Sequence, residues 1–186
     1  MSAGPSLARP VDERDRAQGP ADAPVTLVEY GDYECPHCGR AYPIVQAVQK
    51  HFGPRLRFVF RNFPVSEAHP HALLAAAAAE AAGDRGKFWE MHDQLFEHQD
   101  RLGALDLVKY AAEIGIDSEG FLDVIRSPQM AQRVRDDFMS GVRSGVNGTP
   151  TFFLNGRRYD GPWDYEDLVA AVENAVSPTA ARHSKS

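Results

Sequence analysis

Only two cysteines occur in the 186 residues, and both lie in Cys35-Pro36-His37-Cys38, between a run that reads as a strand and one that reads as a helix. Val25-Thr26-Leu27-Val28-Glu29-Tyr30 leads in and Arg40 to Phe52 leads out, which places Cys35 at a helix start. Unpaired backbone N–H groups and the positive end of the helix dipole meet there, and both favour a negative charge such as a thiolate. Pro36 suits the first helical position, where the N–H it lacks has no helical partner anyway. The spacing puts both sulfurs on nearly one side of the first turn, within bridging reach. The pattern reads as a dithiol that opens and closes.

Two other uses of such a pair are a structural staple and half of a zinc site. A bridge across so short a loop removes little entropy from the unfolded chain, which makes it a weak staple. A zinc site needs two further ligands, and no cysteine remains to supply them. Seven histidines are present, but His69 and His71 share a polar loop, and His92 and His98 lie far along the chain from the cysteine pair. No metal and no cofactor is expected.

With 43% hydrophobic positions the chain can bury a core without cross-links, as one domain with an insertion. The net charge of −6, with no basic stripe, argues against nucleic acid as a partner. The longest apolar run, Ala72 to Ala79, is far short of the ~18 residues a membrane helix needs. The first twenty residues hold no apolar block of the kind an export leader carries, so cytoplasmic residence is expected, or periplasmic or extracellular residence where a leader has been removed. In a reducing compartment a cysteine pair points to catalysis or sensing.

Residues 1–22, rich in Ala, Gly, Pro and Arg, read as a flexible arm. Residues 23–64 read as strand, helix and strand: Ala41, Ile44, Val45, Val48 and Phe52 give the helix one apolar stripe, Pro43 should kink it, and Leu56 to Arg61 is the second strand. From 65 to 140 helical patterns dominate, over 70–82, 86–99, 105–114, 118–125 and 128–142, too much for a simple crossover and so an inserted helical subdomain. In 141–176, Asn155-Gly156 between Thr151–Leu154 and Arg157–Tyr159 is a strong hairpin signal, and a last helix spans 165–176. A loose tail is expected over 177–186. Phe88, Trp89, Phe152, Phe153 and Trp163 read as core, and Arg61, Arg157 and Arg158 as solvated surface.

The order strand, CxxC helix, strand, helical insert, hairpin, helix resembles the thioredoxin superfamily, and within it the DsbA-like branch. The resemblance covers nearly all of 22–176 and rests on Cys35-Pro36-His37-Cys38, on Pro43, and on Gly148-Thr149-Pro150-Thr151-Phe152-Phe153. The chain is also similar to thioredoxin-type domains fused to bacterial sodium/proton antiporters. The resemblance implies an α/β thioredoxin fold with an inserted helical subdomain, and thiol–disulfide oxidoreductase activity on protein or small-molecule thiols and disulfides, with a separate redox partner recharging the site. It further implies a cis bond at Thr149-Pro150, on a loop facing the cysteines that pairs with an extended substrate.

In that frame Cys35 is the exposed nucleophile, its pKa lowered by its position, and Cys38 the buried resolving thiol. Pro36 has a geometric part. His37 would lie beside the Cys35 sulfur and stabilise its thiolate; a helix histidine facing solvent is the plainer reading. Glu29, six residues before Cys35, matches the family's buried acid, a proton acceptor for Cys38; an edge-strand glutamate in water is the alternative. Asp32 and Glu34 add negative charge nearby. Two other functions remain open: a glutathione-linked reductase on the same site, and a redox-regulated binding or chaperone domain without turnover.

Overall fold

The computed structural model describes residues 4–176. Strand β1 (Arg16–Gln18) pairs antiparallel with β3 (Leu56–Asn62), β3 runs parallel to the central β2 (Val25–Gly31), and β4 (Thr151–Leu154) lies antiparallel between β2 and β5 (Arg157–Tyr159). The near-continuous apolar character of β2 follows from its place, because a strand covered on both faces has no wet side. Helix α1 (Pro36–Phe52) makes the crossover that parallel pairing of β2 and β3 requires, and it runs unbroken through Pro43. Five helices come between β3 and β4: α2 (Ala72–Gly83), α3 (Phe88–Glu97), α4 (Ala104–Glu113), α5 (Phe121–Ile125) and α6 (Pro128–Arg143). Helix α7 (Tyr165–Val176) closes the described chain. This is the thioredoxin fold with its helical insertion, and no helix among the described residues is long and apolar enough to cross a membrane.

Alternation along the strands sends side chains to two cores. Val25, Leu27, Phe58, Phe60 and Phe152 face the main one, beneath α1, α3 and α7, where Phe88 is also buried and Trp89 and Trp163 are half-buried. Val28, Tyr30, Val59 and Phe153 face the other side, against which Phe138 of α6 and Leu7 and Val11 of the N-terminal segment pack. Asn155 (φ 48°) and Gly156 (φ 80°) form the hairpin turn, and Asn155 exchanges two hydrogen bonds of 2.9 Å with the Thr26 backbone.

Over the described part of the expected flexible arm, residues 4–22, the second core overturns that expectation; residues 1–3 lie outside the described residues. Leu7 and Val11 cover the back of the sheet, β1 extends its edge, and Leu7 N–H donates to the Gly156 carbonyl at 2.9 Å. Arg61 is likewise no solvated side chain, being 0% exposed. Its guanidinium grips both carboxylate oxygens of Asp15 at 2.8 and 2.9 Å and donates to the Tyr30 hydroxyl and the carbonyls of Arg9 and Pro10. Burial pushes the Asp15 carboxyl up, but the Arg61 hydrogen bonds and charge outweigh it and hold Asp15 below its usual range. Arg157 is exposed and Arg158 partly covered. The tail expected from 177 lies outside the described residues.

Candidate active site

Cys35 caps the N-terminus of α1 in extended conformation (φ −69°, ψ 122°), with Pro36 at the first helical position. Its N–H donates to the Asp32 carbonyl at 3.2 Å, and its own carbonyl accepts from Gly39 N–H at 3.0 Å as the helix begins. The Cys35 thiol donates to the Thr149 carbonyl at 3.6 Å, across the loop that leads into β4. Asp32 N–H donates to the Cys38 sulfur at 3.4 Å. Both cysteines are free thiols here. Cys35 is 4% exposed and Cys38 0%, so the nucleophile expected in the open is instead recessed, because the Thr149 loop lies over it.

The two sulfurs sit in opposite environments. Hydrogen bonding from the Cys38 side chain, then from the Thr149 side chain and from the N–H groups of Cys38 and His37, outweighs partial burial and brings Cys35 from 9.0 to about 5. Burial, and then the Cys35 sulfur itself, push Cys38 well above its usual value. At neutral pH the arrangement is one thiolate, at the recessed Cys35, and one thiol, at the fully buried Cys38.

A scaffold that sequence patterns did not reveal fixes this pair. The buried Asp32 carboxylate accepts from Glu34 N–H (2.8 Å), Val65 N–H (2.9 Å) and His69 Nδ1 (2.7 Å), freezing the turn from β2 into α1. Burial lowers His69, but the bond and charge of Asp32 win and raise it overall. Glu34 in turn holds His71 Nδ1 at 2.8 Å. Gln99, beyond α3, donates to the carbonyls of Tyr33 (2.8 Å) and Cys35 (2.9 Å). Gly39 leaves room for it, since a Cβ there would push the end of the Gln99 side chain aside. No local signal marks Gln99, which reads as one more polar residue at a helix end.

Glu29 lies on the central strand, paired with Phe60 of β3 and Phe152 of β4, and is 3% exposed, which disposes of the edge-strand alternative. Burial, and then the Cys35 charge, push its carboxyl from 4.5 up to about 8. The same charges make Glu29 raise Cys38. The Thr149–Pro150 peptide is cis, and both residues are half-buried. His37 is exposed, and its Nδ1 accepts from Arg40 at 2.6 Å, one helical turn on. The ring expected beside the Cys35 sulfur is thus turned toward Arg40, and what reaches the sulfur is the His37 N–H. Among the described residues no group of three or more His, Cys, Asp or Glu could hold a metal ion.

A family profile described as Thioredoxin matches residues 12–174. The Na(+)/H(+) antiporter NhaA 1 of Mycobacterium sp. (strain KMS) is 49% identical over 173 residues, 91% of this chain and 28% of that protein. The chain therefore spans about a quarter of the length of the curated relatives it matches. A thioredoxin-like oxidoreductase from Silicibacter pomeroyi DSS-3 superposes with a TM-score of 0.77 at 29% identity, covering 88% of this chain and 93% of the other. BdbD from Bacillus subtilis, in its oxidised form, gives 0.82 at 26% identity, covering 95% and 98%.

Proposed function

Because this chain belongs to the thioredoxin family, we propose that it is a DsbA-like thiol–disulfide oxidoreductase that exchanges disulfides through Cys35 and Cys38. The observation that carries the reading is the unequal pair: Cys35, drawn down to about 5 by hydrogen bonds at the helix start, beside Cys38, wholly buried and pushed up.

In the oxidising direction a substrate thiolate attacks the Cys35 sulfur of the closed disulfide. The S–S electron pair leaves on Cys38, which takes a proton from Glu29. A second substrate thiolate then attacks the substrate sulfur of the mixed disulfide and expels Cys35 as a thiolate. Two electrons have moved from substrate to protein and the substrate holds the new disulfide; its two protons are released to solvent as its thiolates form, and one proton returns to Glu29 to replace the one given to Cys38. In the reducing direction Cys38 gives its proton to the Glu29 carboxylate and attacks the mixed disulfide at Cys35. The high affinity of Glu29 for a proton suits both roles.

The Thr149 backbone, opposite Cys35, offers an extended substrate segment a partner for strand-like pairing, with Pro150 shaping the loop. Protein or small-molecule thiols and disulfides are the substrates, and a separate redox partner recharges the site: an oxidant that takes up the two electrons in the oxidising direction, a thiol that supplies them in the reducing one. The test is reduction of insulin by dithiothreitol. Catalysis that vanishes in Cys35→Ser is expected, and turnover at the uncatalysed rate with intact protein overturns the proposal.

A further inference from the structure

Substrate thiols are mostly un-ionised at neutral pH, yet only a thiolate attacks a disulfide. Cys35 and Glu29 account for the protein's own protons, and neither takes that of an incoming thiol. The loop between β3 and α2 offers a group that can. It is tied at two points to the turn before Cys35: Val65 N–H donates to the Asp32 carboxylate at 2.9 Å, and His71 N–H donates to the Glu34 carboxylate at 2.7 Å. His69 lies between these ties, its own N–H held on the Val65 carbonyl at 2.9 Å, so its ring is set against the turn that delivers the reactive cysteine.

The ring has one fixed nitrogen and one open one. Nδ1 meets the Asp32 carboxylate at 2.7 Å, and that side chain is 0% exposed and also held by the N–H groups of Glu34 and Val65. An ionised carboxylate only accepts, so Nδ1 carries the hydrogen and the lone pair of the neutral ring is on Nε2. Nε2 makes no hydrogen bond among the described residues, and the His69 side chain is 20% exposed. Asp32 also touches both cysteines through its backbone, accepting from Cys35 N–H at 3.2 Å and donating to the Cys38 sulfur at 3.4 Å. A buried acid that fixes one imidazole nitrogen and leaves the other free beside a reacting sulfur is the arrangement that makes histidine a base.

We propose that His69, aimed by Asp32, is the general base that accepts the proton of an incoming substrate thiol through Nε2. The substrate S–H bond breaks as its sulfur closes on the Cys35 sulfur of the disulfide. A new S–S bond forms, the Cys35–Cys38 bond breaks with its electron pair on Cys38, and the substrate proton rests on His69 until water takes it. A second substrate thiol loses its proton in the same way before it expels Cys35. In the reducing direction protonated His69 returns a proton to the departing substrate thiolate. The inference rests on the exchange through Cys35 and Cys38 proposed above.

The groups facing the ring suit it to this work. Burial weakens its hold on a proton, but the Asp32 bond, and then the charges of Asp32, Cys35 and Glu34, outweigh that and raise it. In the oxidised protein the Cys35 charge is gone and those of Asp32 and Glu34 remain. The other titratable groups of the loop are exposed Glu67 and His71, the latter engaged with Glu34 at 2.8 Å. A base raised above the ordinary histidine value lies closer to a thiol, at ~8.5, which favours proton transfer between them.

The test sets two thiols against the oxidised protein slightly above neutral pH: cysteine methyl ester, largely ionised there, and 2-mercaptoethanol, largely not. His69→Asn keeps an amide N–H near the place of Nδ1 for Asp32 and removes Nε2. Opening of the disulfide, timed by acid quench and alkylation, should slow by on the order of ten- to a hundred-fold with 2-mercaptoethanol and stay within about two-fold with the ester. Equal slowing of both would mean that His69 acts through structure or charge, and equal rates in variant and parent that it is idle; either overturns the inference while exchange through Cys35 stands. Should the natural protein react with neither thiol faster than cystine does, the exchange reading falls and takes the inference with it. If the variant does not fold, the natural protein decides: its rate divided by that of cystine should be larger for 2-mercaptoethanol than for the ester, and equal quotients overturn the inference.

Discussion

Gln99 donates its side-chain amide to the Cys35 carbonyl at 2.9 Å, so the residue holding the reactive cysteine's backbone in place comes from the helical insertion, 64 positions along the chain. The insertion and the redox motif are therefore one mechanical unit. Gln99→Leu strands the carbonyls of Tyr33 and Cys35, at about 1–3 kcal/mol for each group left dry. A melting temperature lowered by roughly 2–4 °C per kcal/mol is expected for a chain of this size. Equal melting curves for variant and parent would show the bonds to be idle. Gly39→Ala should act in the same direction, because its new methyl group displaces the Gln99 amide.

Alkylation of the reduced protein reports the thiolate directly. With Cys35 at about 5, its rate against pH should be half-maximal near 5 and flat through neutrality, whereas a free cysteine rises around ~8.5. The Cys35→Ala protein should react negligibly at neutral pH, since Cys38 is buried and raised. A midpoint near that of free cysteine would remove the basis of the proposed chemistry.

Glu29→Gln should make the reduced protein more stable, in a pH-dependent way. The fold raises the Glu29 carboxyl from 4.5 to about 8, so it favours the protonated form. Natural Glu29 therefore costs nothing extra below about 4.5, and it increasingly destabilises the fold as pH climbs toward 8. The advantage of the glutamine variant should start near zero and grow to at most roughly 5 kcal/mol above pH 8. Denaturant unfolding at acidic, neutral and alkaline pH, with reductant present, measures it. A constant difference across pH would contradict the burial of this carboxyl.

Asp15→Ala leaves the Arg61 guanidinium buried without its anion, which costs about 3–5 kcal/mol. Replacing both together, with Asp15→Leu and Arg61→Met, should lose markedly less. A double-mutant cycle by chemical denaturation checks the pair, and additivity of the single losses would show that the N-terminal segment is not held through this contact.

Where the sequence spoke clearly, the signal was local. Asn155-Gly156 announced its hairpin because both residues tolerate positive φ, and the apolar runs around Cys35-Pro36-His37-Cys38 announced strand and helix. What stayed hidden depends on partners distant in the chain. Arg16–Gln18 has no strand-like alternation of its own and becomes a strand only because β3 offers an edge. Arg61 looked like a surface cation because its anion, Asp15, lies 46 positions earlier, and Gln99 carries no mark of its target 64 positions away. Glu29 could not be placed in core or water until β2 had neighbours on both sides.

The pairing of Glu29 with Phe60 and Phe152 has a consequence for quality control. Were β2 to dock one residue out of step, Val28 or Tyr30 would stand where the acid belongs, and the carboxylate would point into the apolar layer behind the sheet. Such a misthreaded molecule could keep its helices and its two thiols and still be chemically mute. Turnover is thus a more discriminating assay of correct assembly than helical content or thiol counting.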